Sequence, residues 1–270
     1  MKQTNYHTHT FRCYHASGSD EEYVLEAIRN GYQELGFSDH SCWQYNSSFK
    51  PHMRMDLKTF PGYKKSVLSL KNKYKDQILI RFGMETEYYP QYMDWMLDFC
   101  IKKEIDYLIF GNHYYQTDEH RIYFGNVDEN FINAYFEMAL EALDTGMYAY
   151  FAHPELILRN TYITWNEDIE KKFDKICRLC KEKDIPLEYN VLGMRSNELD
   201  QYECYPHHKF WKLASKYHNK AIIGMDAHNP MDLDKKYYKK AVKELSKYDL
   251  EIVDEIKNID FIQIKRNWEK

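Results

Sequence analysis

Asn5-Tyr6-His7-Thr8-His9 reads as a first strand that ends in His-X-His. Alternate side chains of a strand point to one face, about 7 Å apart along it, so His7 and His9 project together. An open, doubly wound α/β sheet normally follows its first strand with a glycine-rich phosphate loop. Two imidazoles stand in that place here. Further short apolar strands are predicted at 34–38, 78–84, 107–110, 148–151, 186–189 and 221–225, with a weaker eighth at 260–264. Helical periodicity fills the gaps between them. Met93, Met96, Leu97, Cys100 and Ile101 recur at i, i+3, i+4, i+7 and i+8. Segments 20–30, 63–75, 129–144, 165–182, 206–218 and 232–247 carry weaker or equal patterns, with Asp20 as an N-cap and Gly31 as a C-terminal stop. Seven or eight βα units without a phosphate loop predict α/β architecture as a closed parallel barrel, one domain over 1–270. The longest irregular stretch, 41–62, follows a strand end and reads as a lid or specificity loop.

Composition excludes several function classes. The net charge is −5, with no basic stripe to bind nucleic acid. No apolar run approaches the ~18 residues of a membrane span. Met1-Lys2-Gln3-Thr4 runs straight into a strand pattern without a signal peptide, so the six cysteines at 13, 42, 100, 177, 180 and 204 read as reduced thiols of a cytoplasmic protein. Cys177 and Cys180 form a CxxC, but they share the apolar face of a helix with Ile169, Phe173 and Ile176, which predicts packing rather than redox chemistry.

The histidines are not scattered. Of twelve, seven (His7, His9, His15, His40, His113, His153 and His228) sit at or just beyond a predicted strand end, joined by Glu85 and Asp226. In a parallel barrel all strand C-termini share one rim, so these residues converge although they span 222 positions, from 7 to 228. A single histidine there is more often a satisfied polar residue than a ligand. Seven together, unmetallated, would be forced neutral by mutual repulsion. One four-coordinate site needs only three protein ligands, so nine candidates imply more than one ion, with a carboxylate shared. Glu85 is preferred to Glu87 as that carboxylate because it comes first after the apolar run. His52, His120, His207, His208 and His218 read as surface or helix-end residues.

The run His7-Thr8-His9, His15-Ala16-Ser17-Gly18, Ser38-Asp39-His40, Glu85, Gly111-Asn112-His113, His153-Pro154 and Asp226-Ala227-His228 resembles the PHP (polymerase and histidinol phosphatase) superfamily. Within it, the stretch from Phe11 to Gly18 followed by Gly36-Phe37-Ser38-Asp39-His40 is similar to stand-alone histidinol-phosphate phosphatases. The resemblance implies a distorted (βα)7 TIM-like barrel with three divalent ions, of zinc, iron or manganese. His7, His9, Glu85 and Asp226 would hold the first, Glu85, His113 and His153 the second, and His15, His40 and His228 the third. It also implies hydrolysis of a small phosphomonoester, L-histidinol phosphate, to L-histidinol and phosphate in histidine biosynthesis. Paired metals neutralise phosphoryl charge and acidify a bound water, so a bridging hydroxide is the expected nucleophile. Asp226 and His228 are candidates for protonating the leaving group. Arg159 and Arg195 are candidate forks for the phosphoryl oxygens, with Ser17 as a hydroxyl donor and Arg12 as a third choice. Trp43, Tyr45, Tyr115 and Glu119 are candidates for a pocket around the organic part. Other readings are a protein-tyrosine or nucleotide phosphatase of the same superfamily, a DNA-end nuclease, and a metal-binding scaffold without turnover.

Overall fold

A computed structural model describes residues 1–268. Its strands are β1 (Thr4–Asn5), β2 (Glu34–Phe37), β3 (Leu79–Thr86), β4 (Tyr107–Gly111), β5 (Phe151–Ala152), β6 (Leu187–Asn190), β7 (Lys220–Gly224) and β8 (Glu251–Val253). All pair in parallel and in chain order, β1 through β8. The helices between them are α1 (Asp20–Asn30), α2 (Phe60–Lys73), α3 (Met93–Lys103), α4 (Ile132–Asp144), α5 (Glu167–Lys183), α6 (Val191–Asp200), α7 (His208–Ser215) and α8 (Lys235–Leu245), and α9 (Phe261–Trp268) follows β8. The result is a distorted TIM-like barrel. Among the described residues no helix is long and apolar enough to cross a membrane.

The sheet curls because β7 changes partner along its length. Its first residues pair with β8, whereas Ala227, beyond its end, bridges to Thr8 beyond β1. Ala227 donates to the His7 carbonyl at 3.1 Å, and His9 donates to the Ala227 carbonyl at 2.9 Å. Seven strands therefore surround the C-terminal rim, and β8 fills the floor between β7 and β1, where Thr4 Oγ1 donates to the Asp254 carbonyl.

Two apolar layers follow. One large core lies between strands and helices; the other fills the barrel and contains Tyr6, Tyr107, Ile109, Tyr150 and Ile222. Tyr107 is the central plug. Its hydroxyl lies 2.8 Å from the Tyr6 carbonyl and 3.2 Å from that of Phe37. Gly36 and Gly83 make room for its ring, since a Cβ at either would collide with it. Replacing Tyr107 with Phe removes this hydroxyl from two buried carbonyls, at a cost of about 1–3 kcal/mol. Urea unfolding should show that loss; an unchanged midpoint and slope would remove Tyr107 from this role.

Several element boundaries differ from the sequence reading. The eighth strand is Glu251–Val253, not 260–264, which lies in α9: the apolar residues there follow a helical period on an amphipathic segment. The α1 N-cap is Ser19 rather than Asp20. Its hydroxyl and the Glu22 carboxylate each accept from the other's backbone N–H, a capping box that leaves Asp20 inside the first turn. Gly31 does close α1, at φ 82°. Helix α6 was not foreseen, for its sequence has almost no apolar periodicity. Cys177 and Cys180 are buried in the α5 face, and all six cysteines are free.

Candidate metal centre

The first strand is short because Asn5 uses its side chain to hold the next residues. Its Nδ2 donates to the His7 carbonyl (3.0 Å) and to Thr8 Oγ1 (2.8 Å), while its Oδ1 accepts from the Met225 amide (2.8 Å). The His-Thr-His segment is thereby pinned against the end of β7. Continuations of β2 and β3 do the same on the other side, where Ser38 donates to the Thr8 carbonyl and Ser41 to that of Glu85. His153 and Asp226 occupy positive φ, at 32° and 49°, local strain of the kind that clusters at functional sites.

Every one of the nine sequence candidates lies on this rim. His7 Nε2 and His9 Nε2 face each other at 3.1 Å, where two nitrogen lone pairs repel unless something lies between them or one carries a proton. Asp226 Oδ1 is 3.4 and 3.2 Å from them, and Glu85 Oε2 is 3.5 Å from each. Glu85 Oε1 lies 2.9 Å from His153 Nε2 and 3.2 Å from His113 Nε2, themselves 3.3 Å apart. An ion with four ligands at ~2.0–2.1 Å has ligand-to-ligand edges of about 3.3–3.4 Å. These two groups fit that spacing. His15, His40 and His228 form a third, wider group, with donor atoms within 4.8 Å of one another.

The electrostatics ask for cations. Among the described residues Glu85, Asp226 and Glu188 are buried and their ion pairs are all with histidine, none with lysine or arginine. Burial opposes charge on His7, yet Asp226, Glu188 and Glu85 push its pKa well above the usual range. His113 is pushed up to about 10, again against burial, by Glu85 and Glu87. Burial and the neighbouring His9 press His228 down to about 3. Glu85 Oε2, which faces His7 Nε2 and His9 Nε2, and His40 Nδ1 are buried without hydrogen-bond partners. Divalent ions would answer both the unmet donors and the uncompensated carboxylates, so the donor set fits metal.

Around the rim lies a supporting layer that sequence reading missed. Glu188 on β6 accepts from His7 Nδ1 (2.7 Å), the His153 amide (2.9 Å) and Asn190 Nδ2 (2.9 Å), and Asn190 also donates to Asp226 Oδ2 (3.1 Å). One carboxylate thus orients residues from β1 and β5 at once. A Cβ at Gly224 would strike it, so the neighbouring strand can carry only glycine there. The signal was present in Leu187-Glu188-Tyr189-Asn190, two polar side chains facing inward from a buried strand. Asp39 supports the other side, accepting from Thr10 Oγ1 and lying 3.5 Å from His9 Nδ1. Glu87, passed over in favour of Glu85, accepts from His113 Nδ1 at 2.9 Å.

The cavity above the centre is lined by Met53, Tyr114, Tyr123, Leu156, Leu192 and Tyr205, with Arg159 on one wall. Arg159 donates to Tyr123 Oη at 3.2 Å and is otherwise exposed. Arg195 is elsewhere, paired with Asp232, whose other oxygen accepts from the His228 amide at 3.0 Å. Ser17 flanks His228 too, donating its amide to the His228 carbonyl and accepting from Asn229 Nδ2. Arg12 is buried against Asp20 and does not reach the cavity. The pocket candidates Trp43, Tyr45, Tyr115 and Glu119 do not line it either. Trp43 is buried against Tyr89, Tyr92 and Trp95, because an indole this apolar anchors the 41–62 loop rather than edging a polar site.

Comparison with known proteins agrees with this geometry. The chain is 32% identical over 115 residues to the Probable histidinol-phosphatase of Schizosaccharomyces pombe, a match covering 40% of this chain and 38% of that protein. It is 26% identical over 255 residues to the Probable histidinol-phosphatase of Deinococcus radiodurans, covering 88% and 91%. The crystal structure of histidinol phosphate phosphatase from Lactococcus lactis, complexed with zinc, L-histidinol and phosphate, has the same fold, with a TM-score of 0.70 at 17% identity over 95% of this chain and 99% of that one. Residues 5–191 match the PHP domain, and the chain belongs to that family.

Proposed function

We propose that this chain is a metal-dependent phosphomonoesterase that hydrolyses L-histidinol phosphate to L-histidinol and phosphate. The observation that carries the reading is the rim of imidazoles around Glu85 and Asp226, spaced as metal ligands and lacking a lysine or arginine counter-charge among the described residues. His7, His9, Glu85 and Asp226 would hold a first ion, Glu85, His113 and His153 a second, and His15, His40 and His228 a third. Zinc is favoured by the ions in the Lactococcus lactis structure, with iron and manganese open to the same ligands. When bound, the ions supply positive charge for the phosphoryl oxygens and a water acidic enough to attack phosphorus. The phosphoesterase domain extends over 1–270. The free, buried thiols suit a reducing cytoplasm.

The protein side chains do the remaining work. Arg159 presents a guanidinium fork to the phosphoryl group from the cavity wall, while Ser17 and Arg195 hold the far side in place around His228. Asp226 and His228, the candidates for protonating the departing alkoxide, line the cavity; with Asp226 held ionised and His228 pressed down to about 3, a water is the better proton donor. Tyr114, Tyr123 and Tyr205 exclude water and offer aromatic faces to the imidazole of the substrate. The names of the relatives and the histidinol in the Lactococcus lactis structure support this substrate over phosphotyrosine or nucleotides. The net charge of −5 disfavours a nuclease.

A panel of histidinol phosphate, a phosphotyrosine peptide and nucleoside monophosphates tests the assignment through kcat/KM. Histidinol phosphate should lead; a higher value for either rival would replace it. Arg159→Ala should reduce kcat/KM for the preferred ester by ~10- to 100-fold, since a hydrogen bond to a charged group contributes about 1.5–3 kcal/mol. Unchanged kinetics would take Arg159 out of the site.

A further inference from the structure

Arg54 comes from the loop between β2 and α2, yet it is 1% exposed. A buried guanidinium costs several kcal/mol unless its donors are satisfied. All five N–H groups of Arg54 find acceptors. Nε donates to Asp118 Oδ2 (2.8 Å), Nη1 to Glu87 Oε2 (2.8 Å) and the Ser41 carbonyl (3.1 Å), and Nη2 to Glu87 Oε1 (2.6 Å) and Tyr89 Oη (3.3 Å). This arginine is fully engaged by protein groups and has no donor left for a phosphoryl oxygen.

Its partner Glu87 reaches the centre. Glu87 lies two residues beyond Glu85, on the same strand face. The imidazole of His113 spans the two carboxylates, with Nδ1 2.9 Å from Glu87 and Nε2 3.2 Å from Glu85. A continuous line therefore runs from Asp118 through Arg54 and Glu87 to His113. We propose that Arg54 is a positioning residue for the metal centre: by clamping Glu87 with a two-pronged fork it holds the His113 ring with Nδ1 against Glu87 and Nε2 aimed at the cluster. The fork also makes the 41–62 loop part of the same support, because Ser41 and Arg54 both belong to it. Without Arg54, Glu87 is left with the His113 imidazole and Asp118 with the Tyr45 hydroxyl, two buried carboxylates with no arginine between them, and Glu87 is free to turn away from His113. The inference rests on the reading that His113 holds an ion.

The test is zinc retention, not turnover. Zinc-loaded wild type, Arg54→Met, Arg54→Lys, Glu87→Gln and His113→Ala proteins are mixed with a chromophoric chelator, and the stoichiometry and rate of zinc release are recorded. The melting midpoint of each metal-stripped protein is measured in parallel. Loss of an outer hydrogen-bond partner typically weakens a metal site by about 10- to 100-fold. Arg54→Met and Glu87→Gln should each release one ion that much faster, with the other ions leaving at the wild-type rate. Arg54→Lys should recover the melting midpoint without recovering retention, because an ammonium cannot fork to both carboxylates. If Arg54→Met lowers only the metal-free midpoint while zinc leaves at the wild-type rate, Arg54 is a packing residue and the proposal is wrong. Should Arg54→Met fail to fold, Glu87→Gln decides alone, and a wild-type release rate there overturns the proposal. Full zinc retention in His113→Ala would instead remove the metal role of His113, and both readings would fall together.

Discussion

Glu85→Ala should lose phosphatase activity by on the order of 10³-fold or more, together with bound metal, while remaining folded. The expectation follows from the position of one carboxylate. Oε1 lies 2.9 Å from His153 Nε2 and 3.2 Å from His113 Nε2, and Oε2 lies 3.1 Å from His40 Nδ1 and 3.5 Å from His7 and His9. A side chain shared by two ligand groups cannot be replaced by one ordered water. Its loss also removes negative charge from between imidazoles that already crowd each other. Outer partners cost about 10- to 100-fold when removed, and a shared ligand should exceed that. The measurement is kcat/KM on the preferred ester beside metal content, with circular dichroism to confirm the fold. Wild-type metal content with near-normal turnover would show that Glu85 is not the shared ligand.

The alternation of strands and helices made the barrel legible, because parallel strands buried on both faces read as short apolar runs. The rim histidines were legible for the same reason: each interrupts or follows an apolar run, where a polar residue is conspicuous. Recognition of the family motif then grouped them. The supporting layer was harder to read. Glu188 and Glu87 look like ordinary strand carboxylates until the barrel closes and sets them behind His7 and His153, and behind His113. Arg54 sits in an irregular loop where arginine is normally solvated, and nothing local marks it as buried. The 260–264 segment misled because Phe261 and Ile264 suit either a strand or a short amphipathic helix, and only the pairing of β8 with β7 decides. Pocket candidates failed most clearly, since Tyr114 and Tyr123 face the cavity through a small antiparallel bridge that no sequence pattern announced.

Metal removal should cost stability as well as activity. An ion present at a thousand times its Kd contributes about 4 kcal/mol to the folded state. For a chain of this size that corresponds to roughly 8–16 °C in Tm. The physical source is the set of buried carboxylates Glu85, Asp226 and Glu188, which in the stripped protein depend on protonated histidines alone for counter-charge. Thermal unfolding before chelation, after it, and after zinc is returned should show a fall and a recovery. An unchanged midpoint in protein shown to be metal-free would mean that the rim is stable as an imidazole–carboxylate network.

The central claim joins the metal rim to one reaction. Purified protein with its ions counted, incubated with L-histidinol phosphate, should release L-histidinol and phosphate in equal amounts, stop when the ions are chelated, and resume when they are restored. Release of both products at an undiminished rate by protein proven free of metal, or none by fully loaded protein, would contradict the account.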